Sequence, residues 1–238
     1  MAKTDWSKTY FYEDMKRLKQ ELKSMTFRQK VDHLWTYYKA YFLVSLPILL
    51  VIVGLIAAPL SQKDKVVTGV MVNITIDQAG YNYLSTDYEE YLQLSKKQAV
   101  GLEYTSFDDL TTSTNSEQNY YAAMTVIAEV SAKKLDYMIL DGTGMQFYAT
   151  QEVYGDLSTI FTQEELDYFA ENDLLVYCLE EGQTQQWPAA VMIDDLPFVQ
   201  QYIGSDDSVF FALSGSTENL DQCRAIWDWI NNWQATEQ

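Results

Sequence analysis

The sequence predicts an α/β protein with an anchor: an N-terminal amphipathic helix, one transmembrane helix, and then a mixed, sandwich-like α/β domain. Three observations predict it. No residue between Lys39 and Lys63 is charged. From Val66 onward, runs rich in β-branched residues alternate with segments of helical period, the pattern of a sheet packed by helices. Charge also separates at the same place. Residues 1–60 carry nine Lys and Arg against five Asp and Glu, whereas residues 61–238 carry seven against 29.

The uncharged stretch divides the chain into a cytoplasmic arm (1–39), a span (40–60), a linker (61–65) and an outer domain (66–238). About 20 residues at ~1.5 Å rise cross a bilayer's ~30 Å hydrocarbon core. Loops that retain Lys and Arg stay in the cytoplasm, so the N-terminus is expected inside and the C-terminal domain outside. A cleaved signal peptide has a short basic region and an apolar core of roughly 7–15 residues. Here the preceding region is long, Pro59 sits where small residues are expected, and no Cys follows to accept a lipid. The expectation is an uncleaved signal anchor. With no ionisable group inside it, the span anchors rather than conducts.

In the arm, Phe11, Met15, Leu18, Leu22 and Met25 recur at helical spacing among lysines and arginines. Thr26-Phe-Arg-Gln29 fits a capping box that opens a second helix running into the span. Trp35, Tyr37, Tyr38 and Tyr41 form an aromatic belt. The arm either rests on the inner leaflet or docks a membrane partner. His33, the only His, has no second ligand beside it for a metal.

The outer domain reads in order. Val66–Ile76 is a strand, 79–95 a helix, Ala99–Phe107 a strand, Thr111–Ser116 a polar loop and Glu117–Lys134 a helix. Leu135–Leu140 is a strand that turns through Asp141-Gly-Thr-Gly144 into a helix. A helix opened by Thr162-Gln-Glu-Glu165 lies within 158–172. Leu174–Leu179 and Ala189–Ile193 are strands, Leu196–Ile203 a short helix, Ser208–Leu213 a strand, and Thr217–Trp233 an amphipathic helix.

Candidate site residues follow from strand ends. Asp141, Gly142, Thr143 and Gly144 make a strand-to-helix turn whose amides either close the turn or hold an anion. The run resembles the phosphatase pattern D-x-D-G-T, but Ile139 stands at the nucleophile's position. Asp194 and Asp195 follow a strand and precede a helix, where they either cap that helix or meet a ligand at the sheet edge. Trp187 beside Pro188 either stacks on a ligand or packs in the core. Cys178 and Cys223 lie on the outer side, where a disulfide forms readily, yet both sit on apolar faces suited to free thiols.

Composition excludes several classes. An acidic domain does not suit nucleic acid. It holds no His, which excludes Ser-His-Asp and Cys-His catalysis. It has no clustered His and Cys for zinc and no calcium-loop pattern. No cofactor and no enzymatic role are expected.

Four segments carry a resemblance. They are Leu135-Asp-Tyr-Met-Ile-Leu-Asp141 leading to Phe147-Tyr-Ala-Thr150, then Tyr154-Gly-Asp-Leu-Ser-Thr-Ile160, Trp187-Pro-Ala-Ala-Val-Met-Ile193, and Val209–Asn219 before the last helix. With these, 66–233 resembles a reduced extracytoplasmic solute-binding protein of the periplasmic type, which implies a type II periplasmic-binding fold. Phe27-Arg-Gln-Lys30, Leu34-Trp35 and Tyr37-Tyr38-Lys39 ahead of a span look like a group of small bacterial single-pass membrane proteins. The resemblance implies a non-catalytic domain that binds a small molecule, a peptide or a membrane-protein partner. Its binding edge would run through Thr75–Asp77, Asp141–Gly144, Asp194–Asp195 and Ser214–Thr217, with Ser214 and Ser216 as contacts. The alternative is an accessory membrane subunit whose domain binds no ligand.

Overall fold

The computed structural model describes residues 25–61, 63–107, 116–179 and 186–234, with scattered positions before 25. Several side chains of the long N-terminal helix, among them 37–38, 41–42, 54 and 56–61, lie outside that description, as does the predicted helical face of residues 11–22. The chain divides into two units, 1–62 and 63–238.

In the first unit, α1 is a continuous helix, Phe27–Ser61. It starts where the capping box predicts: the Thr26 amide donates to Gln29 Oε1 at 2.9 Å and the Thr26 hydroxyl to the same oxygen at 3.0 Å. Large apolar side chains described between 43 and 55, from Leu43 to Leu55, are exposed. Among the described residues no helix is long and apolar enough to cross a membrane.

The second unit is built on one mixed sheet. Its strands are β1 (Asp64–Val72), β3 (Gln98–Thr105), β4 (Tyr137–Asp141), β5 (Leu175–Cys178), β6 (Trp187–Met192) and β8 (Val209–Leu213). They lie in the order β3-β1-β4-β8-β6-β5. β1 is parallel to both β3 and β4, whereas β4–β8, β8–β6 and β6–β5 are antiparallel. A two-stranded ribbon pairs β2 (Thr75–Ile76) with β7 (Ile203–Gly204).

The helices are α2 (Gln78–Asn82), continued by a π-turn at Tyr83–Asp87 into α3 (Tyr88–Tyr91), then α4 (Ser116–Ser131), α5 (Gly142–Tyr148), α6 (Gln163–Glu171), α7 (Pro197–Tyr202) and α8 (Leu220–Asn231). Side chains alternate across the pleat, so the sheet feeds two cores. Met71, Tyr137, Ile139, Val191 and Phe211 point to the face covered by α2–α3, α6, α7 and α8, whose Leu84, Tyr88, Phe169, Phe198 and Trp227 join them. Val70, Val72, Met138, Leu140 and Ala212 point to the other face, covered by α4 and α5 through Val126, Val130, Met145 and Tyr148. One sheet thus lies between two helical layers, the α/β arrangement of a sheet packed by helices that the sequence predicts.

α1 reaches Ser61 and β1 starts at Asp64, within the stretch 61–65 that the sequence assigns to a linker. The strand 66–76 breaks at Asn73, whose φ of 57° is incompatible with extended backbone. Cys178 and Cys223 are free and buried on opposite faces of the sheet, which stands between the two sulfurs. The cap of α6 is as predicted: Thr162 and Glu165 exchange side-chain and backbone hydrogen bonds.

Candidate functional site

β1 ends between β3 and β4 at the carboxyl edge of the parallel strands. From there the chain passes to α2 on one face of the sheet, whereas from β4 it passes to α5 on the other. Such a divergence opens a crevice between adjacent strand ends, where open α/β sheets bind ligands. Asn73 and Asp141 stand on its two sides.

Asn73 adopts a left-handed backbone because its short amide side chain tolerates that region and bonds locally. It donates from Nδ2 to Asp141 Oδ1 at 3.1 Å, and its Oδ1 accepts the Phe107 amide at 2.7 Å. One side chain therefore joins the ends of β1, β3 and β4. Asp141 is buried and caps α5, its Oδ1 accepting the Gly144 amide at 2.7 Å. The Asp207 carboxylate lies against Gly142, where an added Cβ would fall 2.3 Å from its Oδ2. Burial raises the Asp141 carboxyl above its ordinary range, and the Asp207 charge adds to that rise. The Gly144 and Asn73 hydrogen bonds oppose it. Asp194 reaches the same edge from β6, its Oδ1 accepting the Val209 amide at 2.6 Å.

The edge thus unites Asp141–Gly144 and Asp194, as the sequence predicts, with Asp195 exposed beside them. It does not include Ser214, Ser216 or Trp187. β8 runs antiparallel to β4, so its far end at Ser214 lies at the amino edge of the parallel strands. There Ser214 is buried, its hydroxyl 3.3 Å from that of Ser216, which in turn donates to the Val130 carbonyl. These serines fasten the end of α4 to the turn after β8. Trp187 pairs with Cys178. With Ala149, Thr150, Glu152, Tyr154, Cys178 and Leu179 it lines a cavity of about 280 Å³. That size falls just below the ~300–1,000 Å³ of small-molecule sites.

No family model, curated protein or solved structure matches this chain.

The side chains therefore carry the interpretation alone. At the carboxyl edge, Asp141 and Asp194 each satisfy a backbone amide, and the Asp207 Oδ1 accepts the Ser208 amide at 2.8 Å. These carboxylates close turns. Among the described residues, no three His, Cys, Asp or Glu side chains are placed to hold a metal ion.

Three residues that hold the sheet edges together escape sequence reasoning. Asn73 and Asp207 act through contacts with distant residues. Asp136 organises the amino edge: its Oδ2 accepts the Thr68 amide at 2.8 Å, and its Oδ1 accepts the Thr217 hydroxyl at 2.7 Å and Asn219 Nδ2 at 3.0 Å. A lone Asp ahead of an apolar strand is the one signal of it in the sequence.

Proposed function

We propose that the chain is a single-pass membrane protein, with its N-terminus cytoplasmic and its α/β unit extracytoplasmic. That unit recognises a ligand or partner without chemistry, in the manner of a solute-binding domain. The observation that carries the reading is the coincidence of three boundaries. The uncharged stretch 40–62, the end of α1 at Ser61 and the reversal of charge all fall at the junction of the two units. The exposed apolar side chains from Leu43 to Leu55 suit lipid and do not suit water.

A specific observation favours a macromolecular partner over a small solute. The edge carboxylates are committed to the fold's own amides, and the acidic unit is built on one sheet rather than on two lobes about a cleft. This supports the accessory-subunit form of the proposal.

Orientation is tested with single cysteines at the exposed positions Arg28 and Ser158, against a background of two buried native thiols. In intact cells a membrane-impermeant maleimide labels Ser158→Cys, and it labels Arg28→Cys only after lysis. The reverse pattern overturns the orientation. A melting-temperature rise of the full chain with amino acids or sugars would sink the accessory form and support solute binding.

A further inference from the structure

The hairpin at the far side of the sheet carries a cavity that the carboxyl edge does not share. β5 is the last strand of the sheet, so its outer edge pairs with no other strand among the described residues. Cys178 at its end pairs with Trp187 at the start of β6, and both side chains turn to the face that α4 and α5 cover. There they meet the segment that follows α5 and enclose with it the cavity of about 280 Å³. The buried Tyr154 and Cys178 form its inner wall. The exposed Thr150, Glu152 and Leu179 and the half-buried Trp187 form its outer part.

The polar groups of this cavity divide in two. The Tyr154 hydroxyl donates to the Met145 carbonyl at 3.2 Å, and the Thr150 hydroxyl to the Phe147 carbonyl at 3.4 Å. Glu152 and Trp187 are uncommitted: among the described residues neither the carboxylate nor the indole N–H meets a hydrogen-bond or ion-pair partner. Glu152 differs in this from Asp141, Asp194 and Asp207, each of which accepts a backbone amide. No Lys, Arg or His stands among the described lining residues. Residues 61–238 carry 29 acidic against seven basic residues. An anion is therefore repelled, and a neutral group leaves the carboxylate unanswered. A cation gains from the carboxylate and from the indole face, whose π-electrons attract Lys and Arg head groups.

Size narrows the occupant further. The cavity is smaller than sites that enclose a whole small molecule. It admits one long side chain, whose apolar stem packs on Ala149 and Leu179 while its charged head stays near Glu152 and water. We propose that this cavity receives a lysine or arginine side chain of a protein partner lying along the free edge of β5. An unpaired strand edge accepts an extended segment, and a pocket beside that edge selects one of its side chains. The inference deepens the partner-binding reading above and rests on it, but it requires neither the anchor nor its orientation.

The test uses the full chain in a neutral detergent, grown with fluorotryptophan. The fluorine resonance of Trp187 is assigned by its loss in Trp187→Phe. The probes are a capped Val-Lys-Val peptide, its norleucine and glutamate counterparts, and butylammonium chloride. The lysine peptide should shift the Trp187 resonance saturably, at least about threefold more tightly than the norleucine peptide, and the glutamate peptide should not shift it. Glu152→Gln should weaken the lysine peptide about two- to fivefold, the range of an exposed ion pair, and leave the norleucine peptide unchanged. Equal binding of the lysine and norleucine peptides, or indifference to Glu152→Gln, overturns the cation. Butylammonium binding as tightly as the lysine peptide overturns the protein source. A Trp187 resonance that no probe moves overturns the cavity as a site. Failure of the partner-binding reading itself shows separately, as the rise in melting temperature with amino acids or sugars.

Discussion

Single polar atoms decide stability in this domain. Asp136 is buried and accepts hydrogen bonds from Thr68, Thr217 and Asn219, so it ties β1 and β4 to the start of α8. Asp136→Ala leaves buried donors without acceptors and should cost about 3 kcal/mol in urea unfolding of the full chain in detergent. Tyr137 is the converse case. Its buried hydroxyl has no hydrogen-bond partner among the described residues, and the ring occupies the space above Gly69, where a Cβ would fall 2.1 Å from Cζ. Tyr137→Phe should keep or raise stability, by up to about 1 kcal/mol. Gly69→Ala should unfold the sheet unless residue 137 is also reduced. Asp141 sets a pH dependence. Its folded-state pKa is raised, chiefly by burial, so its contribution to stability is full below the ordinary aspartate range and is lost as pH rises through the folded value. Asp141→Asn keeps an acceptor for Gly144 and removes the buried charge. It should therefore be more stable at pH 7 and show a flatter profile as pH rises above the ordinary aspartate range.

Between elements, the firmest polar link joins α6 to α8. Arg224 grips Glu165 with two hydrogen bonds, at 2.7 and 2.9 Å, and also bonds Asp228. Its guanidinium lies over the Phe161 ring at 5.4 Å. The Glu165 carboxyl is lowered from 4.5 to about 2, first by the Arg224 hydrogen bonds. A depressed carboxyl stabilises the fold above its unfolded pKa, and that contribution is lost as pH falls from about 4.5 toward about 2. Both side chains are about a third exposed, so solvent screening limits the pair to about 1–2 kcal/mol. Arg224→Met should lose that amount at pH 7 and show a shallower decline in acid, read by circular dichroism across the pH range. The thiols belong to this scale as well. Cys223 packs under α8, where burial pushes it up to about 12, and Cys178 lies on the other face. Neither should react with maleimide before unfolding, and the intact mass should show two free thiols under non-reducing conditions.

For the whole molecule, the legible part is the part coded locally. The uncharged run, the charge split, the capping boxes at Thr26 and Thr162, and all six sheet strands are written in neighbouring residues. Boundaries moved by up to four positions, because propensity does not register that Asn73 is needed as a left-handed corner or that Lys133 turns the chain out of α4. The candidate edge was half legible. Asp141 and Asp194 stand where strand-end reasoning places them, whereas Ser214, Ser216 and Trp187 belong to the opposite end. Strand direction decides between the ends, and no local pattern states that β8 runs antiparallel between β4 and β6. The same ignorance of direction hid the contacts of the amino edge, such as Asp136 with Thr68, until β1 and β4 are known to be parallel.

The sequence by itself determined where the chain changes character, because charge and hydropathy are summed along the chain. It also determined the class of the second unit, because period and turn residues act within a few positions. The tertiary structure decided which side chains meet. It set the two cysteines on opposite faces, bound Asp136 to β1 and α8, and joined Asn73 to Asp141. Those outcomes depend on strand order and direction, which are fixed by burying both faces of one sheet at once.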